Sequence, residues 1–126
     1  MYITSHYDKP YSVRGDDKGY WTRTKDYVQF NKSGQYFIYL ECNGSLNADF
    51  PTVKIGSHVY LNWGTSEAEC IGSSSNLWNK INNHVSYQNL YTVYDIKEGD
   101  KLSAHFNIES NKISSISGFS LIIAKL

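Results

Sequence analysis

Along most of the chain, apolar side chains recur at every second position, the spacing of a pleated strand and not of a helix. Gln35 to Cys42 shows it best. Tyr36, Ile38, Leu40 and Cys42 share one face, and Phe37, Tyr39 and Glu41 share the other. In Val85 to Ile96, Leu90, Thr92, Tyr94 and Ile96 lie together, opposite Tyr91, Val93 and Asp95. Lys101 to Glu109 alternates with Leu102, Ala104, Phe106 and Ile108 inward and Lys101, Ser103, His105 and Asn107 outward. The chain closes on Gly118 to Leu126, where Phe119, Leu121 and Ile123 oppose Ile122 and Ala124. Weaker strand signals cover Tyr2 to Tyr7 and Tyr27 to Phe30.

Turn chemistry separates these runs. Asn31-Lys32-Ser33-Gly34 predicts a hairpin turn, and Lys97-Glu98-Gly99-Asp100 a turn whose glycine is free to take a positive φ. Pro51 to Trp63 predicts a hairpin, with Val53 and Ile55 before a turn at Gly56-Ser57 and Val59, Leu61 and Trp63 after it. Glu67 to Ile71 predicts a short strand, Gly72 to Asn76 a loop, and Leu77 to Asn83 a loop or one helical turn. About eight to ten short strands without helical crossovers predict an all-β fold, an antiparallel two-sheet sandwich or jelly roll. The expectation is one domain over residues 1–126, complete in itself or the C-terminal head of a longer polypeptide.

Gln35 to Cys42 and Gly118 to Leu126 are apolar on both faces. In a two-sheet sandwich only one face of a strand meets the core. The second face needs a cover, and a neighbouring subunit is the simplest one.

Composition agrees with strands. Eleven Tyr, five Phe and three Trp stand beside one Met and two Pro, and aromatic residues suit a half-buried pleated surface. Asn, Lys, Ile, Tyr and Ser are frequent, as in many AT-rich genes of low-GC bacteria and their viruses. Twelve basic and twelve acidic residues give a formal net charge of zero, so bulk charge provides no attraction to nucleic acid or anionic membrane. No apolar stretch approaches the about 20 residues that span a bilayer. Met1 to His6 lacks the apolar core of a signal peptide, which fits a chain that stays inside, leaves by another route, or is part of a longer one. Cys42 and Cys70 form no metal or redox motif; two buried free thiols and a single disulfide are the two readings.

Grouped catalytic residues are not found. His6, His58, His84 and His105 are scattered, and alternation puts His58 and His105 outward, on solvated surface. No HExxH or GxSxG motif occurs, nor any EF-hand spacing or phosphate-cradling glycine loop. Glu67 with Glu69, or Asp16 with Asp17, read as solvated loop acids before calcium ligands or glycosidase carboxylates. The expectation is a protein that is not an enzyme and needs no cofactor or metal. For binding, the stretch between Trp63 and Tyr87 is richest, because flat aromatic faces suit apolar sugar faces and amides suit hydroxyls. Trp63, Asn76, Trp78, Asn79 and Tyr87 are the candidate ligand-binding residues; Trp63 ending a strand in the core and Trp78 pinning its loop is the alternative.

Three segments together resemble the tumour-necrosis-factor-like jelly-roll superfamily, which includes the globular heads of complement and collagen-type proteins. They are Phe30-Asn31-Lys32-Ser33-Gly34-Gln35-Tyr36-Phe37-Ile38-Tyr39, Val93-Tyr94-Asp95-Ile96-Lys97-Glu98-Gly99-Asp100-Lys101-Leu102-Ser103-Ala104, and the closing Ile116-Ser117-Gly118-Phe119-Ser120-Leu121-Ile122-Ile123-Ala124. The resemblance covers roughly half the chain and does not reach Gly44 to Ser86. It implies a homotrimer around a three-fold axis, with Phe37, Tyr39, Phe119, Leu121 and Ile123 at the interface. Cys42 at a strand end does not reproduce the loop disulfide common among the family's cytokines, and residues 1–126 show neither the membrane anchor nor the secretion signal those cytokines usually carry. A phage or bacterial member is therefore expected before a cytokine. The functional expectation is a trimeric recognition and adhesion head on a phage or bacterial surface fibre, extracellular or on a virion or cell surface. It would bind a cell-surface glycan or protein receptor, with no nucleic-acid partner and no membrane insertion. A secreted cytokine-like receptor ligand and a monomeric carbohydrate-binding module are the alternatives.

Overall fold

Among the described residues, period-two alternation produces ten strands and no helix. They are β1 (Ile3–Thr4), β2 (Tyr11–Arg14), β3 (Trp21–Arg23), β4 (Val28–Phe30), β5 (Gly34–Leu46), β6 (Thr52–Leu61), β7 (Glu69–Asn79), β8 (Ser86–Ile96), β9 (Lys101–Ile108) and β10 (Ile113–Lys125). The structure, a computed structural model, describes residues 3–4, 11–15, 18–46, 52–79, 86–108 and 113–126, some strand ends by backbone alone. His6, His84, Asp16 and Asp17 lie outside the described residues.

The strands form two sheets. One runs β3-β4-β9-β6-β7, with β1 also on β9; the other runs β2-β10-β5-β8. This is the two-sheet jelly roll expected from the turn spacing. β5 is the spine of the second sheet, paired with β8 from Gly34↔Ile96 to Gly44↔Ser86 and with β10 from Lys125↔Tyr36 to Ile113↔Leu46. β2 adds to β10 in parallel, Phe119↔Tyr11 to Ile122↔Arg14. Just past β2, Gly15 has φ +131, and a Cβ there would lie 1.8 Å from the Ile123 carbonyl oxygen, so only glycine fits.

The core lies between the sheets. Tyr36, Ile38, Leu40 and Cys42 of β5 join Leu121 and Ile123 of β10, with Val53, Ile55, Val59 and Leu61 of β6 and Leu102, Ala104 and Phe106 of β9 in the same buried cluster. Phe30 and Tyr36 meet with ring centroids 4.7 Å apart, and the Tyr36 hydroxyl donates to the Lys32 carbonyl at 2.8 Å. The alternation read for β5 and β8 agrees with this burial.

Four sequence expectations change. Asn31 to Gly34 is not a hairpin turn: β4 and β5 belong to different sheets, and the segment carries the chain across the sandwich. Asn31 holds the crossing, its N–H donating to Tyr20 O at 2.7 Å and its amide to Gly19 O and Thr22 Oγ1. Pro51 to Trp63 is not a hairpin either, since Thr52–Leu61 is one strand through Gly56 and Ser57. A Cβ on Gly56 would meet the His58 ring at 3.5 Å, and the fully buried Ser57 hydroxyl pairs with Ser74 Oγ at 3.0 Å. Thus the Gly-Ser pair runs within a continuous strand, where Ser74 satisfies the buried Ser57 hydroxyl. Likewise the serine-rich Gly72 to Asn76 and the following Leu77 to Asn79 belong to β7, which pairs with β6 from Leu61↔Glu69 to Thr52↔Asn79. β7 is an edge strand, where polar residues are tolerated.

Candidate functional site

The outer face of the β2-β10-β5-β8 sheet carries large apolar groups. Phe37 lies between Val93 of β8 and Ala124 of β10, and Tyr39 between Tyr91 and Ile122. Phe37 and Tyr91 stack, centroids 6.4 Å apart and planes at 29°. Tyr91 is 74 % exposed and Val93 48 %. Polar residues close both ends of this face, Gln35 with Asp95 at one and Glu41 with Asn89 at the other. Near the second end the Tyr39 hydroxyl donates to Glu41 at 3.3 Å and accepts from the Asn89 amide at 3.5 Å. An apolar centre with a polar rim is the composition of a protein interface.

Phe37 and Tyr39 are on this face as the alternation implied. Leu121 and Ile123 are not: they are 1 % and 0 % exposed, packed in the core. The register is the reason, since it sets them beside the core residues Leu40 and Ile38 and turns Ile122 and Ala124 outward. Phe119 pairs with Cys42 along the backbone, and its side chain lies outside the described residues.

A second feature lies at one end of the other sheet. A recess of about 410 Å³ is lined by Asp26, Tyr27, Asn62, Trp63, Thr65, Ser66, Glu67, Gly99, Lys101 and Ser103. Three chain segments meet there: the β3–β4 turn, the β6–β7 loop and the β8–β9 turn. Asn62 ties the last two together. Its N–H donates to Lys101 O at 2.7 Å, its carbonyl Oδ1 accepts from Lys101 N at 3.1 Å, and its Nδ2 donates to Asp100 Oδ1 at 3.1 Å. Asp100 in turn accepts from Lys97 N through Oδ2 at 3.0 Å. Gly99, at φ +92, donates its N–H to Phe30 O at 2.8 Å, so the Gly-Asp turn is locked to the end of β4.

Trp63 leaves this anchored loop with 48 % of its surface exposed. Its ring packs on Tyr60 at 4.7 Å and on His105 at 4.3 Å. His105 is 2 % exposed, contrary to the solvated position that alternation suggested. The Trp63 loop folds back and covers the outer face of β9, burying Ser103 as well, and the Ser103 hydroxyl and His105 Nε2 share a hydrogen bond of 3.0 Å. His58 is half-buried and accepts from the Asn107 amide at 2.8 Å.

The candidate ligand residues do not converge. Trp63 is beyond Leu61, whereas Asn76 pairs with Ile55, Trp78 with Val53 and Asn79 with Thr52. Six positions of strand, about 20 Å, separate Leu61 from Ile55. Asn76 is exposed; the side chains of Trp78, Asn79 and Tyr87 lie outside the described residues. Tyr87 sits on the other sheet opposite Asn43. Asp26, Glu67, Lys101 and Ser103 line the Trp63 recess but were not singled out for binding, because they come from distant parts of the chain.

Cys42 is buried and Cys70 exposed, and both thiols are free. Burial first, and Glu41 second, push the Cys42 thiol up to about 12. Among the described residues no three His, Cys, Asp or Glu side chains gather as metal ligands, and no helix is long and apolar enough to cross a membrane.

No protein-family model matches the chain, and no curated protein matches it in sequence. Solved structures do match in shape. Murine APRIL at pH 5.0 is similar at a TM-score of 0.64 and 17 % identity, over 85 % of this chain and 78 % of that one. Murine APRIL at pH 8.0 gives 0.62 and 19 %, over 85 % and 75 %. Eiger TNF from S. frugiperda gives 0.57 and 15 %, over 84 % of this chain and 68 % of that one. At such identities the likeness concerns the backbone, and it settles which jelly roll this is: the chain has the tumour-necrosis-factor-like jelly-roll fold.

Proposed function

We propose that the chain is a homotrimeric recognition head that binds a cell-surface ligand, a glycan first, as the tip of a phage or bacterial surface fibre. The observation that carries this reading is the outer face of the β2-β10-β5-β8 sheet. Phe37, Tyr39, Tyr91, Val93, Ile122 and Ala124 form one apolar surface that the described residues leave at least partly open. Monomers avoid such contiguous patches. Three copies packed about an axis cover it, which is the assembly the family resemblance implies. The interface is then Phe37 and Tyr39 with Tyr91, Val93, Ile122 and Ala124, in place of Leu121 and Ile123.

Ligand recognition falls to the other sheet and the sandwich ends, which such a trimer leaves open. Trp63 and its recess are the main proposed contact. Asn76, Trp78 and Asn79 of β7 and Tyr87 of β8 are further proposed contacts, away from Trp63. An extracellular, virion-borne or cell-surface location follows from this role.

Tyr91→Lys tests the assembly. The side chain is exposed in the isolated chain, so the fold survives while a lysine is forced into the interface. A species of monomer mass with unchanged far-UV circular dichroism is expected. A Tyr91→Lys protein of the same mass as the parent would sink the proposed interface.

A further inference from the structure

We propose that the recess beside Trp63 is a saccharide subsite for a neutral, hydroxyl-rich sugar and that it discriminates against acidic ones. The inference rests on the recognition-head reading and gives that reading a ligand class and a place.

The first support is the platform. Trp63 cannot fold away, because Tyr60 and His105 hold its ring at 4.7 and 4.3 Å. Nearly half of its surface stays open. A fixed indole face is what the apolar face of a pyranose packs against.

The second is rigidity. Thr65 Oγ1 donates to Asn62 O at 2.7 Å and accepts from Glu67 N at 3.1 Å, and Ala68 N donates to Thr65 O at 3.2 Å. On the facing turn, Thr24 Oγ1 donates to Tyr27 O at 2.9 Å and accepts from Tyr27 N at 3.1 Å. Loops already ordered lose little freedom when a ligand arrives.

The third is the polar inventory. Asp26 and Glu67 enter the recess from two separate loops, and ionised carboxylates only accept hydrogen bonds. A neutral sugar presents pairs of hydroxyl donors, which match them. Lys101 supplies a donor for a ring or glycosidic oxygen; its ammonium sits 4.9 Å from the centre of the Tyr27 ring. A carboxylated sugar would meet two negative groups against one positive. A cationic ligand would share the recess with that ammonium. At about 410 Å³ the space lies within the range of small-molecule sites, roughly 300–1,000 Å³.

The recess is on the opposite sheet from the assembly face, so the two claims fail separately. The experiment is an NMR titration of the full chain with lactose, cellobiose and maltose at millimolar concentration, beside 3′-sialyllactose, tetramethylammonium and a lysine-rich peptide, with solution mass measured on the same samples. At least one neutral disaccharide should shift the Trp63 indole N–H. Trp63→Ala should weaken binding at least about tenfold, a loss of about 1.4 kcal/mol, and Trp63→Phe should recover part of it. Glu67→Gln should weaken the neutral sugar several-fold while improving sialyllactose relative to lactose. The subsite is overturned if no neutral disaccharide moves the Trp63 signal, if sialyllactose binds more tightly than lactose, or if only the ammonium or the peptide binds. A trimer with no sugar binding removes the subsite and leaves the assembly; a monomer that binds lactose does the reverse.

Discussion

Asn62 holds φ +57, in the left-handed region that asparagine tolerates better than other non-glycine residues. From there one side chain satisfies Lys101 N and Asp100 Oδ1 and fixes the loop that presents Trp63. Asn62→Ala removes both bonds and leaves a Cβ-bearing residue without that tolerance. We expect a loss of about 2 kcal/mol in urea unfolding, from lost hydrogen bonds and a strained φ together. Cys42 gives a pH signature. The folded thiol ionises near 12, against 9.0 for the unperturbed group. Above 9.0 the unfolded chain therefore binds fewer protons than the folded one, and native stability falls with rising pH until about 12 is passed. Urea midpoints measured from neutral pH to pH 10 should fall more in the parent than in Cys42→Ala. At this scale the sequence was informative where a residue's own strand decides its burial, as for Tyr36, Ile38 and Leu40. It misled for His105, because the alternation of β9 says which way the ring points and nothing about the Trp63 loop that covers it.

The two sheets are tied along one side by β7 and β8. Thr92 Oγ1 donates to Ile71 O at 3.0 Å, Ser74 Oγ to Asn89 O at 2.9 Å, and the Tyr94 hydroxyl to Glu69. The Glu69 bond holds the Tyr94 hydroxyl above its ordinary pKa. Side chains thus close an edge that backbone pairing leaves open, which protects two exposed strand edges from other chains. Thr92→Val keeps shape and deletes one tie. It should cost about 1 kcal/mol, and hydrogen exchange should speed up in β7 and β8 before it does in β5. Equal acceleration throughout the sheet would contradict the seam. Strands of clean alternation, β5, β8 and β9, were legible in the sequence. β6 and β7 were not, because Gly56-Ser57 and the serines after Gly72 have turn composition. Their strand character comes from pairing with each other and from the Ser57–Ser74 contact, which no local pattern contains.

For the whole molecule, the strands and turns were enough to reach the sandwich, and the resemblance of three segments supplied its tumour-necrosis-factor-like form. The proposed assembly surface was half legible. β5 announced Phe37 and Tyr39, but choosing the outward face of β10 needed its register with β5, and that register selects Ile122 and Ala124. The proposed ligand region was least legible, since Asp26, Glu67 and Lys101 meet only once three loops are folded together. Trimerisation is the claim on which the recognition-head account depends, because a multivalent head can hold a surface of weak single sites. Its direct test is the solution mass of the full chain by light scattering across the micromolar range. The account predicts a species of about three times the 14.4 kDa chain mass, constant with dilution. A particle of 14.4 kDa throughout that range would contradict it.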